Sequence, residues 1–295
     1  MIIIKARERP LARAKDSPMS KKNAFKKLKT FKPSAAYAIG AATLLFISAG
    51  LWALTAIRAQ LLLRDGEEQL KDGFAALAAE SLDPVRTALI REKRGCAALV
   101  AAYTGAHRPE RLEWAAQACM SSGIDSPEIE VGLAAARELA GHDEDALKIL
   151  KNVALKFNKS AAPLYEAGQI LRRDKKVAEA VGYLKRAADL EPSNSLYCLD
   201  ALRALSEAQI WNEARRIAEQ IKNVATNEPE TRLIIATALL RGGDRDGAMA
   251  QATQAIQLLP SKDTDTRETL EQTYPEALAL ADRSRDLASR SKSAQ

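Results

Sequence analysis

Between Lys93 and Lys262 a pattern of small and apolar residues returns every 34 positions without a single insertion. With the slots of one copy numbered from Ala161, slot 8 reads Val100, Ala134, Gly168, Leu202 and Ala236 in successive copies. Slot 20 reads Leu112, Ala146, Ala180, Ala214 and Ala248, and slot 27 reads Cys119, Val153, Ala187, Ile221 and Ala255. Loops of varying length would lose such a register within one or two copies. A period of this size marks a chain that stacks one helical unit repeatedly, each copy burying its apolar face on the next. The register therefore predicts an all-α solenoid of antiparallel helix pairs, whose usual product is a binding surface and not a reaction.

The copy from Ala161 to Asn194 places Leu164, Ala167, Gly168, Leu171, Ala180, Leu184, Ala187 and Pro192 on the spacing W-x2-L-G-x2-Y, A-x3-F, A, P. This segment resembles the tetratricopeptide repeat (TPR) family, and the whole chain resembles a membrane-anchored bacterial TPR protein. Slot 4, usually Trp, holds Cys96, Glu130, Leu164, Cys198 and Arg232, and slot 32 is Pro only at Pro192 and Pro260. In the family, the concave surface is lined by slots 2, 5, 9, 12 and 13 of the first helix of each pair. The resemblance thus implies a candidate peptide-binding groove at Tyr165, Gln169, Arg172 and Arg173, then Leu199 and Arg203, then Leu233, Thr237 and Arg241. Apolar residues at slot 5 with arginines deeper along the helix suit a peptide bearing carboxylates, which Arg binds in bidentate fashion. The alternative is that these arginines are ordinary solubilising charges. Members that clamp a C-terminal carboxylate carry Lys and Asn at slots 5 and 9. Tyr165 and Gln169 stand there in the best copy, so that specificity is not implied.

Upstream, Ser34 to Ile57 is uncharged. At 1.5 Å per residue it can cross ~30 Å of hydrocarbon, with Tyr37 and Trp52 toward its ends and Arg58 closing it. The expected organisation is a basic, disordered cytoplasmic tail over 1–33, a transmembrane signal anchor over 34–58 and a degenerate repeat over 59–92. Five TPR-like repeats over 93–262 follow, then a C-terminal capping helix and polar tail over 263–295. In the degenerate stretch Gly66, Gly73 and Ala78 keep slots 8, 15 and 20, but Asp65 and Gln69 are polar at core positions. Pro84 should interrupt the second helix there. After Lys262 the pattern stops, and Glu276 to Ser289 has the look of a polar-faced terminal helix. Met19 offers an alternative start of translation.

Before Pro33 there are 11 basic residues against Glu8 and Asp16, which leaves 33 basic and 36 acidic residues for the rest of the chain. Basic residues beside a span stay in the cytoplasm. The expected localisation is therefore the bacterial inner membrane, single-pass, with the repeats in the periplasm. A cleaved signal peptide would carry a shorter apolar region and an A-x-A site. The sequence pI of 9.2 reflects the tail alone, and the acidic remainder argues against a nucleic-acid face. An oxidising compartment admits disulfides. Cys96 at slot 4 and Cys119 at slot 27 of one pair face each other and form the candidate bridge, although helix axes 8–10 Å apart make the reach borderline. Two small buried thiols are the alternative, and Cys198 has no obvious partner.

No catalytic, metal or cofactor constellation emerges. His107 and His142 fall in the turns within pairs, and Asp143, Glu144 and Asp145 sit at a helix start, where they complement the dipole. C-x-x-C, H-E-x-x-H, P-loop and G-x-S-x-G motifs are missing from the sequence. The expected function is that of a non-enzymatic scaffold or adaptor that holds other envelope proteins by their peptide segments, as in secretion, pilus or polysaccharide-export machines. A chaperone-like accessory of the translocon, binding many clients, is the alternative. Small residues in the span, Gly40, Ala41, Ala49 and Gly50, make no G-x-x-x-G pair and signal self-association only weakly.

Overall fold

The computed structural model describes residues 35–223, 228–259 and 264–293; the tail expected over 1–33, with Met19, lies outside them. The chain divides into two units, Met1–Thr55 and Ala56–Gln295. Helix α1 (Ala35–Lys71) contributes to both. Its stretch Thr43–Lys71 is, among the described residues, the one helix long and apolar enough to cross a membrane by length and composition. In the first unit Leu44, Leu45, Phe46, Ile47, Leu51, Trp52 and Leu54 all stand exposed. A row of large apolar side chains needs cover from lipid or from protein.

Helices are the only regular elements among the described residues of the second unit. Helices α4 (Lys93–Gly105) and α5 (Pro109–Ser121) make one antiparallel pair, followed by α6 (Pro127–Leu139) with α7 (Asp143–Lys156) and α8 (Ala162–Arg173) with α9 (Val177–Leu190). Then come α10 (Ser195–Glu207) with α11 (Trp211–Ile221) and α12 (Pro229–Arg241) with α13 (Arg245–Leu258). We call the first member of each pair helix A and the second helix B. The B helices begin at Pro109, Asp143, Val177, Trp211 and Arg245, in steps of 34. Pro109, Pro127, Pro163 and Pro229 open their helices at the first or second position, where a missing N–H costs nothing.

The turn inside each pair is the same piece of backbone. Gly73, His107, Gly141, Lys175, Gln209 and Gly243 all have positive φ, between 52° and 91°, and all occupy slot 15. The next residue's N–H reaches back to close helix A, as in Arg108 to the Tyr103 carbonyl at 3.0 Å and Lys176 to the Leu171 carbonyl at 2.9 Å. This left-handed cap satisfies carbonyls that the helix end would otherwise leave unpaired.

Packing follows the slots. The residues at slots 8, 20 and 27 are buried in every copy. A Cβ added to Gly168 would lie 2.5 Å from Leu184 Cγ, so slot 8 is where the two helices of a pair meet. A Cβ added to Gly66 would likewise lie 2.7 Å from Leu82 Cδ2. The upstream stretch thus packs like a repeat even though its second helix is broken. That helix is α2 (Ala75–Leu82), a 3-10 turn over Asp83–Val85 that holds Pro84, and α3 (Arg86–Leu89). Asp83 in the turn accepts a 2.8 Å hydrogen bond from the hydroxyl of Tyr103, a fully buried side chain of α4. Asp65, read from the sequence as a polar residue at a core position, is exposed, while Gln69 is half-buried with its Oε1 unpaired. Cys96 and Cys119 are joined by a disulfide with Cα atoms 6.0 Å apart, and Cys198 is a buried free thiol.

At the C-terminal end the structure differs from the sequence expectation of one capping helix. It has two, α14 (Thr264–Thr273) and α15 (Pro275–Ser293). Only α15 covers the end of the stack: it packs on α13 and α12 and buries Ala277, Leu278, Leu280 and Ala281. Helix α14 carries one buried apolar residue, Leu270, and so has no stripe for periodicity to detect.

The shared cap makes a direct prediction. Lys175→Gly and Gln209→Gly should each raise stability by about 0.5–1 kcal/mol, because only glycine takes positive φ freely, and Gly141→Ala should cost about 1 kcal/mol. Urea unfolding of the three variants checks the signs; a loss of stability in the first two would contradict the turn assignment.

Candidate functional site

Successive A helices touch along one side of the stack, α4 with α6, α6 with α8 and α10 with α12, whereas neighbouring B helices share no comparable contact. A stack joined this way curves with its A helices inside. Residues of the A helices at slots 5, 6, 9, 12 and 13 therefore form the inner face.

The centre of that face is a buried carboxylate. Asp200, at slot 6 of α10, has a side chain only 5% exposed. The Tyr165 hydroxyl donates to its Oδ2 at 2.7 Å, and Gln169 Nε2 donates to the same oxygen. Arg203 Nη1 lies 3.2 Å and Arg172 Nη1 3.5 Å from Oδ1. Three of these four groups come from α8, so Asp200 fastens two successive A helices together. Burial and the Asp200 charge push the Tyr165 hydroxyl well above its ordinary pKa, which keeps it a donor. Tyr165 also lies against Tyr197, with ring centroids 4.5 Å apart.

The structure brings Tyr165, Gln169, Arg172 and Arg203 together, but around a carboxylate of the chain itself. The other arginines of the candidate groove are paired as well. Arg173 meets Glu138 at 2.6 Å and Asp143 at 3.0 Å, and Arg241 meets Glu276 at 2.7 Å while lying over the Trp211 ring. The sequence reading offered these arginines to a partner's carboxylates, and that reading is revised: the carboxylates are internal. Leu233 is also corrected. It is fully buried under α13 and α15 with Ala252 and Ala277 and is a core residue, not a groove residue. Leu199 is half-buried against the core, and the Thr237 hydroxyl donates to the Leu233 carbonyl at 2.8 Å. His107 occupies the positive-φ cap position, and His142 is the residue before α7.

Sequence reasoning missed two residues, both acids at slot 6: Asp200 and Glu166. The signal was available, since slot 6 otherwise holds Ala98, Gly132 and Ile234. Glu166 on α8 is half-buried, and among the described residues it has neither a hydrogen-bond nor an ion-pair partner. Burial, with the Glu138 carboxylate nearby, pushes its carboxyl up to about 7.

No protein-family profile and no curated protein matches the sequence. Solved structures do match. PilF of Pseudomonas aeruginosa aligns with a TM-score of 0.53 at 14% identity, over 79% of this chain and 98% of that one. The APC/C hetero-tetramer Cut9–Hcn1 also gives 0.53, at 15% identity over 82% of this chain and 46% of that one. The chain has the tetratricopeptide-repeat fold. At these identities the likeness is one of architecture alone.

Two outcomes test the electrostatics. Asp200→Ala strands Tyr165, Gln169, Arg172 and Arg203 and should cost about 3 kcal/mol, against about 1 kcal/mol for Tyr165→Phe. Glu166 behaves in the opposite sense. A carboxyl raised above its ordinary 4.5 holds its proton more tightly in the folded TPR array. The stability this contributes is complete below about 4.5 and is lost as the pH rises through about 7. Glu166→Gln should therefore flatten the pH profile in that window. Above it, the variant should be about 2 kcal/mol more stable than wild type, a figure reduced for partial exposure. Thermal unfolding across the pH range reads both, and an unchanged profile in Glu166→Gln would contradict the burial argument.

Proposed function

We propose that the protein is a membrane-tethered TPR scaffold that holds peptide segments of other envelope proteins on the extracytoplasmic side of a bacterial inner membrane. In this reading residues 34–58 are the anchor, 59–92 a degenerate repeat joined to it, 93–262 the binding array and 263–295 its cap. The observation that carries the reading is the inner face of the A helices. It has been given a polar floor by Asp200 and its four partners, while Arg173 of α8 and Leu196, at slot 2 of α10, are exposed. A floor already held by its own hydrogen bonds and ion pairs needs little ordering when a partner binds. The fold supports an interaction module, and neighbours in structure share that architecture.

Two further features support the tether and its orientation. The apolar side chains of α1 in the first unit are uncovered, as a span requires. The Cys96–Cys119 bridge suits an oxidising compartment outside the cytoplasm. Restricting the array to a membrane surface raises the local concentration of whatever it holds, without any new contact.

Photo-crosslinkers placed at Arg173 and Leu196 in native membranes should each give one dominant product, and a crosslinker at the exposed Lys148 of helix α7 should not. A broad smear would favour a chaperone of many clients, and a product from Lys148 alone would remove the groove from the proposal. Orientation is read by thiol trapping of the denatured protein straight from cells. Without reductant one thiol, Cys198, should react, and with reductant all three cysteines. Equal labelling in the two samples would argue against an oxidised, extracytoplasmic array.

A further inference from the structure

The repeat register supplies an internal comparison at slot 6. Asp200 is satisfied mainly by the preceding A helix, through slot 5 (Tyr165), slot 9 (Gln169) and slot 12 (Arg172), with Arg203 of its own helix completing the shell. Glu166 occupies the same slot one repeat earlier. The corresponding positions of its preceding A helix, α6, are Val131, Ala135 and Glu138. Two are apolar and one repels it. Its own slot 9 residue, Gln169, has turned away to Asp200. Glu166 thus has the placement of a bridged carboxylate and none of the donors. Small apolar side chains stand where Tyr165 and Gln169 stand in the next repeat, and both rings of the Tyr165–Tyr197 pair lie close enough to feel the Glu166 charge.

We infer that Glu166, beside the Tyr165–Tyr197 pair, is the recognition point for a cationic side chain, lysine or arginine, of a peptide bound in the groove. The incoming ammonium or guanidinium takes the place that Arg172 and Arg203 take for Asp200. Charge complementarity selects this occupant over an acidic one: each arginine proposed for the groove lies against an acid of the chain, Arg172 and Arg203 sharing Asp200, whereas Glu166 has no counter-ion. A half-buried carboxyl without a partner lowers stability in its charged form, and groups perturbed by burial in this way gather at functional sites. The ring faces add favourable cation–π contact for the same group. This inference rests on the groove reading above and names the chemistry of its partner.

The test pans a random-peptide phage library against the full chain in lipid nanodiscs. Selected peptides should be rich in Lys and Arg and should crosslink to a probe at Arg173 or Leu196. Their affinity should fall at least about tenfold in Glu166→Gln, the loss of one charge-assisted contact. The fall should recur in Ala135→Arg, which supplies Glu166 with an internal cation from the slot that Gln169 uses for Asp200, and should not occur in Glu144→Gln, an exposed acid on α7 that controls for general attraction. If Glu166→Gln fails to fold, Ala135→Arg decides alone. Peptides that bind the groove without cationic enrichment, or that ignore both substitutions, overturn this inference and leave the groove reading standing. Failure to select any peptide that crosslinks to the inner face overturns both.

Discussion

Two helices can lie close only where one of them has nothing to put between the axes. In two repeats of this chain the vacancy is slot 8, where Gly168 and Gly66 let Leu184 and Leu82 reach the backbone of the partner helix; the other copies keep slot 8 buried with Ala, Val or Leu. The left-handed turn at slot 15 recurs in each pair, and the side chains at slots 20 and 27, alanine in six of ten cases, are buried between helices. Because each pair ends as the previous one ended, the same geometry is handed along the stack, and stability becomes a sum of pairs and the joints between them.

That regularity gives the inner face its meaning. A single substitution pattern, read at one slot, yields two opposite environments: Asp200 in a full shell of donors and Glu166 in a shell of alkyl groups and a like charge. The backbone is the same in both. What differs is which side chains the preceding repeat offers, so the chemistry of each position is written one period upstream of the residue that uses it.

Much of the fold could be read from the residues, because packing between helices depends on side-chain size at fixed spacing and the sequence displays both. The turns were half legible. Gly73, Gly141 and Gly243 signal a positive φ, whereas His107, Lys175 and Gln209 adopt the same conformation without announcing it. Helix α14 left no trace, since a helix that buries one leucine has no period. For the groove, slot numbers identified the face but not its state. Pairing between successive A helices joins residues such as Tyr165 and Asp200, or Glu138 and Arg173, that lie 35 positions apart, and only coordinates show which oxygen each donor chooses. Leu233 was misread because its slot faces inward in an open repeat, whereas here α15 closes over it.

The disulfide adds a mechanical consequence. A solenoid pulled at its ends comes apart one repeat at a time, at whichever joint is weakest. For a tethered array, load on anything held between α8 and α12 is drawn back toward α1 through the pair formed by α4 and α5. That pair is the one, among the described residues, whose two helices are held by a covalent bond, between Cys96 and Cys119. In the proposed tethered arrangement that pair cannot be pulled open under load, so yielding falls to the pairs between it and the held partner, which no covalent bond closes among the described residues.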